Sequence, residues 1–84
     1  MAPRSEFQVN CHLVVRHLDK VGVLANMLTR LRDEGINVEQ MENKVFRGAR
    51  AAVCYVTLSR KPSEETLAAF SDDPDIIHAA IVKA

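Results

Sequence analysis

Between His17 and Leu24 the chain reads "HLDKVGVL", an imidazole, a carboxylate and an ammonium close together, then a lone glycine and the start of an apolar helical pattern. Such groups suit the capture of a small zwitterion. Asp19 can pair with an ammonium or cap a helix, His17 can donate to an anion, and Gly22 has no Cβ to obstruct a ligand. A strand ending at His17 and turning into a helix near Gly22 aims the first helical N–H groups, around Val23 and Leu24, at whatever occupies the loop. Asn37, which follows Gly35 and Ile36, offers a further donor and acceptor. The same residue types also describe an ordinary capped turn, with Asp19 as the cap and Gly22 as the turn glycine.

The surrounding elements decide where these groups can stand. "VNCHLVVR" from Val9 to Arg16 alternates as a strand, with Val9, Cys11, Leu13 and Val15 on one face and Asn10, His12, Val14 and Arg16 on the other. Val21, Leu24, Leu28 and Leu31, with Met27 beside them, recur at helical spacing, and Gly35 sits where a helix ends on a left-handed residue. "INVEQMENKVF" (Ile36 to Phe46) is a strand whose alternation breaks between Val38 and Met41, which predicts a bulge or an edge position. "RGAR" (Arg47 to Arg50) supplies a glycine turn into "AAVCYVTLS", where Cys54, Val56 and Leu58 share a face. Pro62 and Ser63 ahead of Glu64 and Glu65 start a second helix, "SDDP" breaks it, and "DIIHAAIVKA" closes with Ile77, Ala79 and Ile81 on one face.

The order strand, helix, strand, strand, helix, strand predicts an α+β, ferredoxin-like βαββαβ fold: a four-stranded antiparallel sheet with both helices on one face and the first and third strands central. With 84 residues the chain makes one small domain, taken as 8–84, with residues 1–7 read as a linker or expression remnant. The open sheet face then carries Asn10, His12, Val14, Arg16, Val53, Tyr55, Thr57, His78 and Val82, which is too apolar for water throughout and predicts self-association or packing on a parent protein.

Charge and composition narrow the partners. Lysine plus arginine and aspartate plus glutamate balance at 11 each, so no net field draws in nucleic acid or anionic lipid. No apolar run approaches the roughly 20 residues that cross a bilayer, and the expected compartment is the cytoplasm. Cys11 and Cys54 lack metal or redox spacing and read as buried free thiols. The chain has no G-x-G-x-x-G for a dinucleotide, and Tyr55 is the one aromatic placed to stack a base. His12 and His78, without an acid or cysteine ligand nearby, make a poor metal pair. An acylphosphatase-like enzyme of this topology would want an arginine in the loop; Arg16 precedes it and Lys20 lies within it. No catalytic residue, cofactor or metal is expected.

"HLDKVGVLANMLTRLRDEGINV" resembles the signature of the ACT domain, a small ligand-binding module attached to many enzymes of amino-acid metabolism, and the resemblance runs from about Val9 to Val82, nearly the whole chain. Within that family it is most similar to the serine-sensing regulatory domains of D-3-phosphoglycerate dehydrogenases. The resemblance implies an allosteric, non-catalytic domain that binds an amino acid, L-serine first, at the interface of a homodimer paired through its edge strands and attached to or beside NAD-dependent dehydrogenase domains. It places effector contacts on His17, Asp19 and Asn37, with Val21, Gly22, Val23 and Leu24 lining the loop and helix start. Val21 stands where the family usually has proline, which lowers preorganisation of the loop, and Asp19 stands where serine sensors often have asparagine. A domain of this fold that only dimerises is the alternative.

Overall fold

A computed structural model describes residues 11–46, 48 and 50–83, with Lys83 as backbone only. The expected linker over 1–7, Val9 and Asn10 of the first strand, Arg47 and Ala49 of the turn, and Ala84 lie outside the described residues. The elements run β1 (Cys11–Leu18), α1 (Val23–Asp33), β2 (Val38–Val45), β3 (Ala51–Leu58), α2 (Glu64–Asp72) and β4 (Ile76–Lys83). The strands form one sheet in the order β2-β3-β1-β4 with every neighbouring pair antiparallel. This is the expected ferredoxin-like arrangement, with β1 and β3 central and β2 at an edge.

Alternation in β1 and β3 produces the two faces. Cys11, Leu13 and Val15 meet Leu58, Val56 and Cys54 in register, and these six join Val23, Met27 and Leu31 of α1, Phe70 of α2, Ile36 and Ile76 in a single buried cluster. Both helices therefore cover the same face. On the opposite face His12, Arg16, Tyr55, His78 and Val82 are exposed, while Val53 is buried between its register partners Arg16 and Lys44, whose long stems can cover apolar surface. Cys11 and Cys54 are free and buried, and burial pushes the Cys54 thiol up to about 11. It stays protonated at neutral pH and packs as a small apolar group.

Each break in the pattern has a local cause. The register slips between Val38 and Gln40, the bulge that the broken alternation predicts. Beyond it Met41, Asn43 and Val45 turn toward the helix side, yet all three remain exposed because the edge strand reaches past the helices' cover. Helix α1 stops at Gly35, whose φ of 77° favours glycine. The Ile36 N–H donates to Leu31 O at 3.0 Å and the Gly35 N–H to Arg32 O at 2.9 Å, a Schellman closure in which buried Ile36 and Leu31 meet. Two expectations need correction. Val21 is not part of the apolar stripe: α1 starts two residues later, buries Val23, Met27 and Leu31, and leaves Val21 fully exposed. In β4 the pairing is irregular between Arg16 and His17, so Ile76 takes the buried place and Ile77 is half exposed.

A polar clasp joins the helices. Ser63 caps α2 by accepting from the Thr66 N–H at 3.2 Å, and its own N–H donates to Glu34 Oε2 at 2.8 Å. The Arg60 guanidinium donates to Glu34 O. Hydrogen bonds from Thr66 and Ser63, reinforced by the Arg60 charge, hold the Glu34 carboxyl below its ordinary value of 4.5 against the opposing effect of burial. A carboxyl lowered by folding stabilises the fold above its unfolded pKa and loses that contribution as pH falls through the folded value. Urea unfolding across acid pH should therefore show wild-type stability falling more steeply than that of Glu34→Gln below about pH 4.5. Phe70→Ala should cost about 3–5 kcal/mol in the same assay, since the ring is fully buried and anchors α2.

Candidate functional site

The β1–α1 connection is held to the sheet from both sides. The Leu18 N–H donates to Asp75 O at 2.9 Å, the Asp19 N–H to Arg50 O at 2.8 Å, and the Lys20 N–H to Leu18 O at 2.9 Å. Lys20 Nζ also meets Asp75 Oδ1 at 3.1 Å. Beside this loop lies a cleft of about 580 Å³ lined by Leu18, Asp19, Lys20 and Arg50. Lys20 is engaged by Asp75, whereas among the described residues neither Asp19 nor Arg50 makes an ion pair. Opposite charges thus stand in one cleft without neutralising each other.

Helix α1 begins on Gly22 at φ 91°, without a hydrogen bond from any capping side chain and without an acid in its first turn. The expectation of Asp19 as helix cap is therefore corrected. A Cβ at Gly22 would meet nothing within 4 Å, so glycine is required there by backbone conformation rather than by close approach. Gly22, Val23 and Leu24 do not line the cleft, and Val23 is buried in the core.

His17 lies inside β1 rather than at its end, on the face shared by Cys11, Leu13 and Val15, and is 2% exposed. Its Nδ1 lies 2.8 Å from Leu18 O and its Nε2 lies 2.9 Å from Asn43 Oδ1. Because a carbonyl only accepts, Nδ1 carries the proton. As placed, the Asn43 amide oxygen faces Nε2 and accepts from it, and with the amide turned over its NH₂ donates to Nε2 instead, so the contact is a hydrogen bond in either orientation. His17 reaches Asn43 across β3, beside its small register partner Ala52. Both ring nitrogens are used inside the protein, which leaves neither free for a ligand.

Asn37 stands far from the loop within one chain. Val38 and Cys11 both pair with Leu58 at one end of the sheet, while Leu18 pairs with Ala51 at the other, a separation of roughly 23 Å along the strands. The Asn37 N–H donates to Ser59 Oγ at 3.0 Å and its carbonyl accepts from the Ser59 N–H at 2.9 Å. The side chain is exposed beside a second cleft of about 360 Å³, lined with Leu28, Thr29, Arg32, Ile36 and Val38. Of the residues expected to form one site, the structure gathers Asp19 with Leu18, Lys20 and Arg50 and places His17 and Asn37 elsewhere. Arg50 carries no short-range signal, because pairing of β3 with β1 is what brings it to the loop. The parity of His17 with Cys11, Leu13 and Val15 was the available sign of its burial.

No protein-family model matches the chain, and no curated protein matches it in sequence. Among solved structures it is similar to an ACT domain protein from Streptococcus pneumoniae, at 17% identity and a TM-score of 0.68 over 92% of this chain and 91% of that one. At that identity the likeness shows a shared fold.

The His17–Asn43 pair should be measurable in stability. Asn43→Ala leaves the buried Nε2 without its partner and should cost about 1–3 kcal/mol. In a double-mutant cycle with His17→Leu the two losses should fall well short of additive in urea unfolding.

Proposed function

We propose that this chain is an amino-acid-binding regulatory domain that acts in the cytoplasm on a D-3-phosphoglycerate dehydrogenase, with L-serine as the first candidate effector. The observation that carries the reading is the cleft beside the β1–α1 loop, where Asp19 and Arg50 offer opposite charges that form no ion pair among the described residues. A zwitterion answers both: Asp19 takes the ammonium and Arg50 the carboxylate. Arg50 assumes the role that the sequence resemblance assigns to His17, whose nitrogens are engaged internally. The fold shared with an ACT domain protein supports the regulatory part of the reading.

Asn37 enters from a second copy. The exposed edge strand β2 can pair with its own copy in antiparallel fashion, which sets the start of one β2 beside the end of the other. A ligand held between the loop of one chain and Asn37 of the next favours the paired arrangement, and that population shift is what attached or neighbouring dehydrogenase domains would feel.

A thermal-shift titration against each of the twenty amino acids tests the reading. A ligand at 100 times its Kd adds ~2.7 kcal/mol to a form that alone binds it, a rise of roughly 10–20 °C for a domain of this size. The expected result is a rise with serine or a close relative, lost in Asp19→Ala and in Asn37→Ala while both variants stay folded. A folded, dimeric wild type that responds to none of the twenty would make the chain a structural dimerisation module instead.

A further inference from the structure

The open face of the sheet, which neither helix covers, is crossed by one row of residues in register. Lys44 pairs with Val53, Val53 with Arg16 and Arg16 with His78, so the row spans all four strands from β2 to β4. Lys44 and Arg16 are exposed, and among the described residues neither makes an ion pair. Val53 between them is 6% exposed although no helix lies over it, so neighbouring side chains supply its cover, with the stems of Lys44 and Arg16 directly beside it. An ammonium and a guanidinium are thereby held at the surface two strand spacings apart, about 10 Å.

The adjoining row on the same face is Glu42, Tyr55, Val14 and Ala80. Tyr55 is 44% exposed and Val14 partly buried, which gives the two cations an apolar neighbour. Among the described residues Glu42, at the sheet edge, is the one acid that strand register places on this face. Helix α2, on the other side of the sheet, carries Glu64, Glu65 and Asp72 and no basic residue. A chain balanced in total charge is thus polarised across its sheet, and the bare side is the cationic one.

We propose that this face docks an acidic amphipathic helix of a partner protein. Carboxylates seven residues apart stand ~10.5 Å apart on one side of a helix, which matches the separation of Lys44 and Arg16. Apolar residues at the intervening third and fourth positions then lie toward Tyr55 and Val14. A helix laid there covers the second side of the sheet as α1 and α2 cover the first. Single-stranded nucleic acid fits the face less well, because Tyr55 is its lone aromatic and the chain has no net positive charge. The chain's own α2 bears Glu65 and Asp72 at the same spacing, but docking α2 on the next copy is a head-to-tail contact of the kind that runs on into open filaments. A helix from a different protein meets the same charges without that consequence.

The test is an NMR titration of the isotope-labelled full chain with an alanine-rich helical peptide of about 18 residues that carries glutamates seven apart and leucines at the third and fourth positions between them. The expected result is saturable shifts at the amides of Val14, Arg16, Val53 and Tyr55, with α1 and α2 unmoved. Arg16→Glu and Lys44→Glu should each weaken binding by about tenfold, because an attraction becomes a repulsion. The double reversal Arg16→Glu/Lys44→Glu should instead bind a peptide with lysine in place of glutamate. Arg30→Glu makes the same charge change on α1, on the covered side of the sheet, and should leave binding as it is. Arg16→Gln/Lys44→Gln retains aliphatic stems beside Val53 while removing both charges, so it should lose binding and keep its thermal unfolding transition, which separates a lost site from a lost fold. A peptide that shifts no amide, or one whose binding is indifferent to Arg16 and Lys44, would overturn the proposal. So would a single-stranded oligonucleotide that binds the face more tightly than the peptide, or amides of α2 and the open face that shift together as the concentration of the chain alone is raised.

Discussion

A single buried histidine ties the central strand to the edge strand and to the loop. His17 is nearly inaccessible, with Nδ1 on Leu18 O and Nε2 on Asn43 Oδ1. A buried imidazole left without partners would cost on the order of 1–3 kcal/mol, so the positions of Leu18 and Asn43 are tied to it. Leu18 opens the cleft, and Asn43 lies at the middle of the unpaired edge. The contact therefore links the cleft to the edge strand. Most of the remaining core is apolar and directionless, so this polar link is the part of the interior that specifies orientation.

The two ends of α1 are built by different means, and the difference leaves one of them open. At the C-terminal end Gly35 closes a Schellman turn and Glu34 binds the start of α2, so the last carbonyls and the neighbouring helix cap satisfy each other. At the N-terminal end Gly22 provides only the backbone turn and no side chain caps the helix. The loop ahead of it is instead fixed through its own backbone, by Asp75 O and Arg50 O. Asp19 is freed from a capping role and keeps its carboxylate available beside Arg50. Rigid support beneath opposite charges that form no ion pair among the described residues is the arrangement that a small zwitterion can exploit.

Much of the fold is legible in the sequence because its signals are local. The helix stop at Gly35, the Ser63 cap and the strands of β1 and β3 follow from residue types at fixed spacing, and the interrupted alternation of "INVEQM" marks a bulge that the structure places between Val38 and Gln40. The site is less legible because its parts converge through sheet pairing. Arg50 reaches the loop only once β3 lies against β1, and nothing near it in the chain announces that. Val21 looks like the first turn of an apolar stripe until the helix starts at Val23. His17 misleads for a different reason: it stands next to charged loop residues, which draws it into a ligand set, while its parity with Leu13 and Val15 assigns it to the core. Ile77 illustrates how one irregular pair in a strand transfers burial to its neighbour Ile76.

If the ligand lies between two chains, binding and association are linked, and each must strengthen the other by the same factor. The most direct measurement is the dimer dissociation constant, taken by sedimentation equilibrium with and without L-serine and, in parallel, the other amino acids. The account predicts that the constant falls in the presence of the effector and that the fall disappears in Asn37→Ala. A dissociation constant unchanged by every amino acid would contradict a shared site between two copies.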